Sequence, residues 1–210
     1  DSGIGRILDE LDALGISDNT YVVFTTDNGG RGTVPGGDPK SPAPNVPLSG
    51  AKHSLREGGI RVPFMVRGPS IEAGSVCRIP VVGYDFLPTF YELAGGKGPL
   101  SKELDGGSFV ALFSNPEIDS VKRPMEGLIF SRPRQGMAAI RAGKGKLLAE
   151  INAKREILSA QLFNVVEDIA EEKDRSSAQP DKAKQLHARL KTYLETVVDP
   201  SPTMKRRKPD

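Results

Sequence analysis

Tyr21-Val22-Val23-Phe24-Thr25-Thr26-Asp27-Asn28-Gly29-Gly30 is a short apolar run that closes on an acid, an amide and two glycines. Aromatic and β-branched residues fill its first half, with no polar alternation before Thr25. That composition predicts a strand covered on both faces, as in a parallel sheet. In open α/β sheets, ligands sit beyond the carboxyl ends of the strands. Asp27 and Asn28 fall at that end and offer two oxygen donors. Gly29-Gly30 lets the backbone turn sharply beside them. Asn28-Gly29 also fits a hairpin turn. No second strand pattern follows closely, because Arg31 to Pro47 is a long loop rich in glycine and proline.

Upstream of this run, Ile4, Ile7, Leu8, Leu11 and Leu14 recur at helical spacing and predict a helix over 1–14. Asp1 or Ser2 can cap its start, Gly15 supplies a left-handed stop, and Ile16 can fold back onto the apolar stripe. Asp18-Asn19-Thr20 then turns the chain into the strand. Helix, turn and buried strand make half of a βαβ unit.

Downstream, residues 60–66 read as a second strand entered through Gly58-Gly59. Lys52, Arg56 and Arg61 place three cations near that entrance. The Gly-Lys-Ser/Thr run of a phosphate-cradling loop is absent, and such a cluster also fits a solvated basic loop. A further strand is predicted around Ile79 to Val82. Asp85 is placed to cap a helix with Pro88 in its first turn; Leu87, Phe90, Tyr91 and Leu93 make its buried side, and Gly95-Gly96 ends it. Residues 97–126 read mostly as loop, with an apolar patch from Phe109 to Phe113.

From Gly127 the texture changes. Leu128–Ser131, Met137–Arg141, Lys146–Ala149 and Gln161–Asn164 are short strand candidates, which predict a small antiparallel sheet. A final helix is predicted over 181–198, with Ala183, Leu186, Leu190, Leu194 and Val197 as its stripe and His187 at its boundary. The basic tail Lys205-Arg206-Arg207-Lys208 reads as solvated.

Composition narrows the chemistry. The 210 residues carry a formal net charge of +2, which does not point to a nucleic-acid binder, and no apolar run approaches membrane-spanning length. Cys77 is the single cysteine, so an intrachain disulfide is impossible. His53 and His187 are the only histidines and lie far apart, so a metal here would be held mainly by oxygen, which favours Ca²⁺ or Mg²⁺. The chain opens inside a helical pattern at Asp1, as a piece of a longer protein would.

Three segments together resemble the C-terminal half of the sulfatases, the arylsulfatase branch of the alkaline-phosphatase-like superfamily. They are Leu14-Gly15 through Thr25-Thr26-Asp27-Asn28-Gly29, Pro47-Leu48-Ser49-Gly50-Ala51-Lys52 through Glu57-Gly58-Gly59-Ile60-Arg61-Val62-Pro63, and Asp85-Phe86-Leu87-Pro88-Thr89 through Leu93-Ala94-Gly95. Ala139–Gly143, Lys146-Leu147 and Leu162-Phe163-Asn164 resemble the family's C-terminal sheet. The resemblance implies an α/β fold: the C-terminal part of the sulfatase core over 1–126, a small antiparallel sheet with a helix over 127–200, and a tail over 201–210. It implies hydrolysis of an aryl or carbohydrate sulfate ester. Asp27 and Asn28 match the pair that helps hold the active-site cation, usually Ca²⁺, with Mg²⁺ as the other hard cation. Lys52 matches the lysine that contacts a sulfate oxygen, and His53 stands beside it within reach of the same group. Glu57, Gly58, Gly59 and Arg61 match positions that shape the loop.

The family's nucleophile is a formylglycine made from Cys or Ser in a Cys/Ser-x-Pro-x-Arg motif. Cys77-Arg78-Ile79-Pro80 does not fit that motif, so the resemblance places the nucleophile in an N-terminal half outside these residues. It also implies a secreted, periplasmic or lysosomal setting. The expected partners are the sulfate ester, that N-terminal half or a second copy. Two other readings stand beside this one: a non-catalytic module that binds anions or a protein partner, and a phosphodiester or phosphonate ester hydrolase of the same superfamily.

Overall fold

The computed structural model describes residues 1–32, 45–115 and 118–197. Most of the loop expected from Arg31 to Pro47, and the whole basic tail, lie outside the described residues. In chain order the elements are α1 (Ser2–Ala13), β1 (Val22–Thr25), a single helical turn α2 (Glu57–Ile60), β2 (Phe64–Arg67), α3 (Phe86–Leu93), β3 (Leu128–Arg132), β4 (Met137–Ala142), β5 (Gly145–Ile151), β6 (Ile157–Asn164) and α4 (Pro180–Thr196). They form two compact units. One holds residues 1–27 and 62–126, the other residues 28–61 and 127–210.

In the first unit, α1 stops as its sequence predicts. Gly15 adopts φ +67°, its N–H donates to Asp12 O, and the Ile16 N–H reaches Leu11 O at 3.2 Å. This is the double hydrogen bond of a Schellman ending. The apolar stripe is only partly covered, however: Leu8 and Leu11 are half-buried, no residue of α1 is fully buried, and Ile7 is 61% exposed.

The strand reading needs correction in its pairing. β1 forms a two-stranded antiparallel sheet with β2, Val22 opposite Arg67 and Thr25 opposite Phe64, and it is half-buried along its length. A run of β-branched residues encodes a strand but not the direction of its neighbour. β2 also starts later than its sequence suggests. Pro63 has no N–H to give to a ladder, so pairing begins at Phe64, while residues 57–60 coil into α2. Ile79 to Val82 is not a strand. Pro80 breaks that run, and the Val82 N–H goes instead to the Asp85 carboxylate at 2.9 Å.

Asp85 is therefore not a simple cap for α3. Its fully buried carboxylate takes the Arg123 guanidinium in a fork, Nε to Oδ1 at 2.8 Å and Nη2 to Oδ2 at 2.6 Å, and also accepts the Gly107 N–H. A bidentate, charge-assisted pair of this kind fixes two loops at once. Pro88 and Thr89 are the buried residues of α3, whereas Leu87 and Phe90 are exposed. Phe64 and Phe86 stack with ring centroids 5.9 Å apart, and Phe109 meets both edge-on at 5.8 and 6.3 Å.

The second unit contains the antiparallel sheet β3-β4-β5-β6. Successive side chains alternate between its faces. Ala138, Ile140, Leu147, Ala149, Ile151 and Leu162 point to one face, where Leu186, Leu190 and Leu194 of α4 cover them. His187 sits at the edge of that layer, half-buried. The opposite face carries Arg141, Lys146 and Phe163, and residues 45–61 pack against it, with Arg56 lying 5.5 Å over the Phe163 ring.

Candidate active site

The turn after β1 is stitched to the loop that carries Lys52. The Gly29 N–H donates to Gly59 O at 3.0 Å, and the Lys52 N–H donates to Gly30 O at 3.0 Å. The Asn45 side chain brackets the same point, accepting the Gly30 N–H and donating back to Gly30 O. The approach is possible only because the contact surfaces have no side chains. A Cβ on Gly29 would lie 1.8 Å from Gly58 O, and one on Gly59 would lie 2.2 Å from Ser54 O. Gly29, Gly58 and Gly59 are thus required by close backbone packing.

Each residue proposed from sequence can now be placed. Asp27 is exposed, directly after β1 and at the end of the first unit's opening segment. Asn28 follows it, half-buried, and its side-chain nitrogen donates to Gly29 O at 3.1 Å. Lys52 is half-buried, with its backbone bound as described. His53 is exposed at φ +79°, and its carbonyl accepts a hydrogen bond from Arg132. The structure therefore brings the Asn28-Gly29-Gly30 turn and the Lys52-His53 turn into contact through backbone groups. Among the described residues, no three His, Cys, Asp or Glu side chains gather as a metal cage. One carboxylate and one amide suit a hard cation but supply only part of its six to eight oxygen ligands.

Sequence reasoning missed what holds the Lys52 loop. Lys146 and Glu57 are each fully buried, with Lys146 Nζ 3.0 Å from Glu57 Oε1 and 2.8 Å from Glu171 Oε1. Arg141 Nη1 lies 3.3 Å from Glu57 Oε2, and Arg61 stands at 3.9 Å. Glu171 Oε2 accepts both the Ser49 hydroxyl and the Glu57 N–H. The one available signal was Lys146 inside a strand whose alternate positions, Leu147, Ala149 and Ile151, are core. A lysine on the other face of such a strand is normally solvated. Here residues 45–61 cover it, and it needs carboxylate partners.

Glu171 is presented by a turn that Asp168 closes, accepting N–H groups from Glu172 and Lys173. The Lys173 N–H is the main reason the Asp168 carboxyl is held below its usual value of 3.8. A depressed carboxylate stabilises the fold above its unfolded value, and that contribution fades only as pH falls through the lowered one.

Residues 1–96 match the Sulfatase family model, and this span contains the Asp27 turn and the whole Lys52 loop. Over this span the chain is similar to the sulfatases. Mouse steryl-sulfatase is 37% identical over 120 residues, covering 53% of this chain and 18% of that protein. Rat N-acetylgalactosamine-6-sulfatase is 34% identical over 134 residues, covering 63% of this chain and 23% of that protein. The crystal structure of Ps i-CgsB superposes on 92% of this chain with a TM-score of 0.74 and 32% identity, and the chain covers 40% of it. The same protein solved in complex with k-i-k-neocarrahexaose gives a TM-score of 0.73. This chain thus spans about a fifth of the length of the curated relatives named and two fifths of the solved one. The likeness gives it the alkaline-phosphatase-like α/β fold of the sulfatases, with a C-terminal antiparallel sheet and helix.

Proposed function

We propose that this chain supplies part of the active centre of a sulfate-ester hydrolase. The observation that carries the reading is the backbone contact between Lys52 and Gly30, inside a span that matches the sulfatase family. It ties the backbone of Lys52 to the turn that opens at Asn28. As the S–O bond of a sulfate ester breaks, negative charge grows on the leaving oxygen and is already spread over the sulfate oxygens. A fixed ammonium group at those oxygens stabilises that charge more in the transition state than in the ground state. Lys52 is assigned that role, with His53 beside it as a second group for binding the sulfate. Asp27 and Asn28 would hold a divalent cation, Ca²⁺ or alternatively Mg²⁺, together with ligands from outside these residues. When bound, that ion supplies Lewis-acid stabilisation of the same oxygens. The formylglycine nucleophile is assigned to an N-terminal portion. The work of this chain is to bind, orient and neutralise.

Two relatives supply the substrate classes to test. One is named for steryl sulfate chemistry, and the other was crystallised with a neocarrahexaose, a sugar oligomer. Both aryl or steryl and carbohydrate sulfates are therefore candidates for the complete protein. The test is a panel of an aryl sulfate, sulfated oligosaccharides, and the matching phosphodiester and phosphonate esters, run with and without a chelator. Turnover of sulfate esters in preference to the phosphorus esters is expected, with loss on chelation and recovery on adding Ca²⁺ or Mg²⁺. Preference for a phosphodiester or phosphonate would replace the sulfate reading with another chemistry.

A further inference from the structure

We infer that Glu171 is a positioning residue for Lys52: its carboxylate closes the two ends of the Lys52 loop onto the C-terminal sheet. The catalytic half of this inference rests on the role proposed for Lys52 above; the clamp itself does not. Both ends of the loop meet at one oxygen. Glu171 Oε2 accepts the Ser49 hydroxyl at 2.8 Å and the Glu57 N–H at 2.7 Å. The Gly58 N–H completes the closure by donating to Ser49 O at 2.7 Å. Lys52 lies between these ends.

The clamp is anchored in the sheet. Glu171 Oε1 sits 2.8 Å from the fully buried Lys146 of β5, which also holds Glu57. The backbone of Glu171 is engaged as well, its carbonyl accepting from Arg56 Nη1 at 3.0 Å. Glu171 is itself nearly fully buried and adopts φ +56°. A left-handed conformation is costly for a glutamate and persists only where the surroundings over-determine it. A carboxylate whose sole task was to neutralise Lys146 would not need both loop ends on its second oxygen. This arrangement makes the chemistry of residues 1–96 depend on a residue far downstream, which no loop-local pattern would reveal.

The experiment has two arms, each with Glu171→Gln and Ser49→Ala. Glu171→Gln removes the charge and keeps the shape. Ser49→Ala removes one donor and leaves the Lys146 pairing untouched, so it carries the comparison if Glu171→Gln fails to fold. In the first arm, amide hydrogen exchange is measured on this chain. Exchange at Glu57, Gly58 and Lys52 should quicken by about tenfold, the size of one lost hydrogen bond, while the Ile140 amide in the β4 ladder keeps its protection. Unchanged exchange at those three amides would overturn the clamp. In the second arm, kcat and KM are measured on the complete protein in wild-type and Lys52→Ala backgrounds. Glu171→Gln should lower kcat by about tenfold in the first background and have no further effect in the second, as expected for residues that act as a unit. A full-sized effect on top of Lys52→Ala would overturn the positioning role. Wild-type turnover by Lys52→Ala would instead sink the role proposed for Lys52, and the exchange arm would still decide the clamp.

Discussion

Replacing Lys146 with Met should cost about 3–5 kcal/mol of stability, the range for breaking a buried ion pair by removing one partner. Lys146 is the fully buried cation between Glu57 and Glu171, at 3.0 and 2.8 Å. Methionine fills much the same volume, so packing loss is small and the effect isolates charge. Without the ammonium group, two carboxylates remain out of water, with Arg141 near only Glu57 at 3.3 Å. Stabilities by urea unfolding would show the loss. Adding Glu57→Gln and Glu171→Gln to Lys146→Met should recover much of it, because neutral amides are cheaper to bury than unpaired carboxylates. Lys191 is the control: its side chain is 63% exposed and 3.8 Å from Glu195, so Lys191→Met should move stability by no more than about 0.5 kcal/mol. A change of less than about 1 kcal/mol in Lys146→Met would mean that the buried network is not what fixes the loop.

Lys52→Ala should act in the opposite sense, on chemistry and not on the fold. In the complete protein its turnover should drop by roughly ten- to a thousandfold, as when one transition-state charge donor is lost. The fold should survive. Lys52 is half-buried, and what the structure uses is its backbone N–H, which alanine keeps. Steady-state kinetics on each ester that the parent accepts is the measurement, with unfolding curves alongside. Wild-type turnover on all of them would remove Lys52 from the site, and an unfolded variant would make it a structural residue. Paired with Lys146→Met, this separates the group assigned to touch sulfate from the group that holds the loop.

What sequence could and could not reveal follows from the range of the interactions. α1 with its Gly15 ending, the four strands of the C-terminal sheet and the stripe of α4 were all predicted. Each depends on neighbours a few residues apart. The pairing of β1 with β2 was not, since the two lie on either side of a long loop and a β-rich run does not name its partner. Asp85 was misread as a cap because an acid before a helix usually is one, while its true partner, Arg123, lies 38 residues away. Asp27 and Asn28 stand out in the sequence as oxygen donors at a strand end, and Lys52 as one of three nearby cations, but their roles come from the family resemblance, since acid–amide–glycine alone also fits a hairpin. Glu57 was read as shaping its loop, but the partners that explain it, Lys146 and Glu171, are 89 and 114 residues further on.

The most direct test is a chromogenic sulfate ester assay on this chain alone and after mixing with a separately made N-terminal sulfatase portion whose Cys or Ser is already converted to formylglycine. The expected result is no turnover by the chain alone and measurable turnover on mixing, which falls when Lys52→Ala replaces the wild-type chain. Turnover of the ester by the chain alone, or equal turnover by the Lys52→Ala mixture, would contradict the assignment of nucleophile and charge donor to different parts of one active centre.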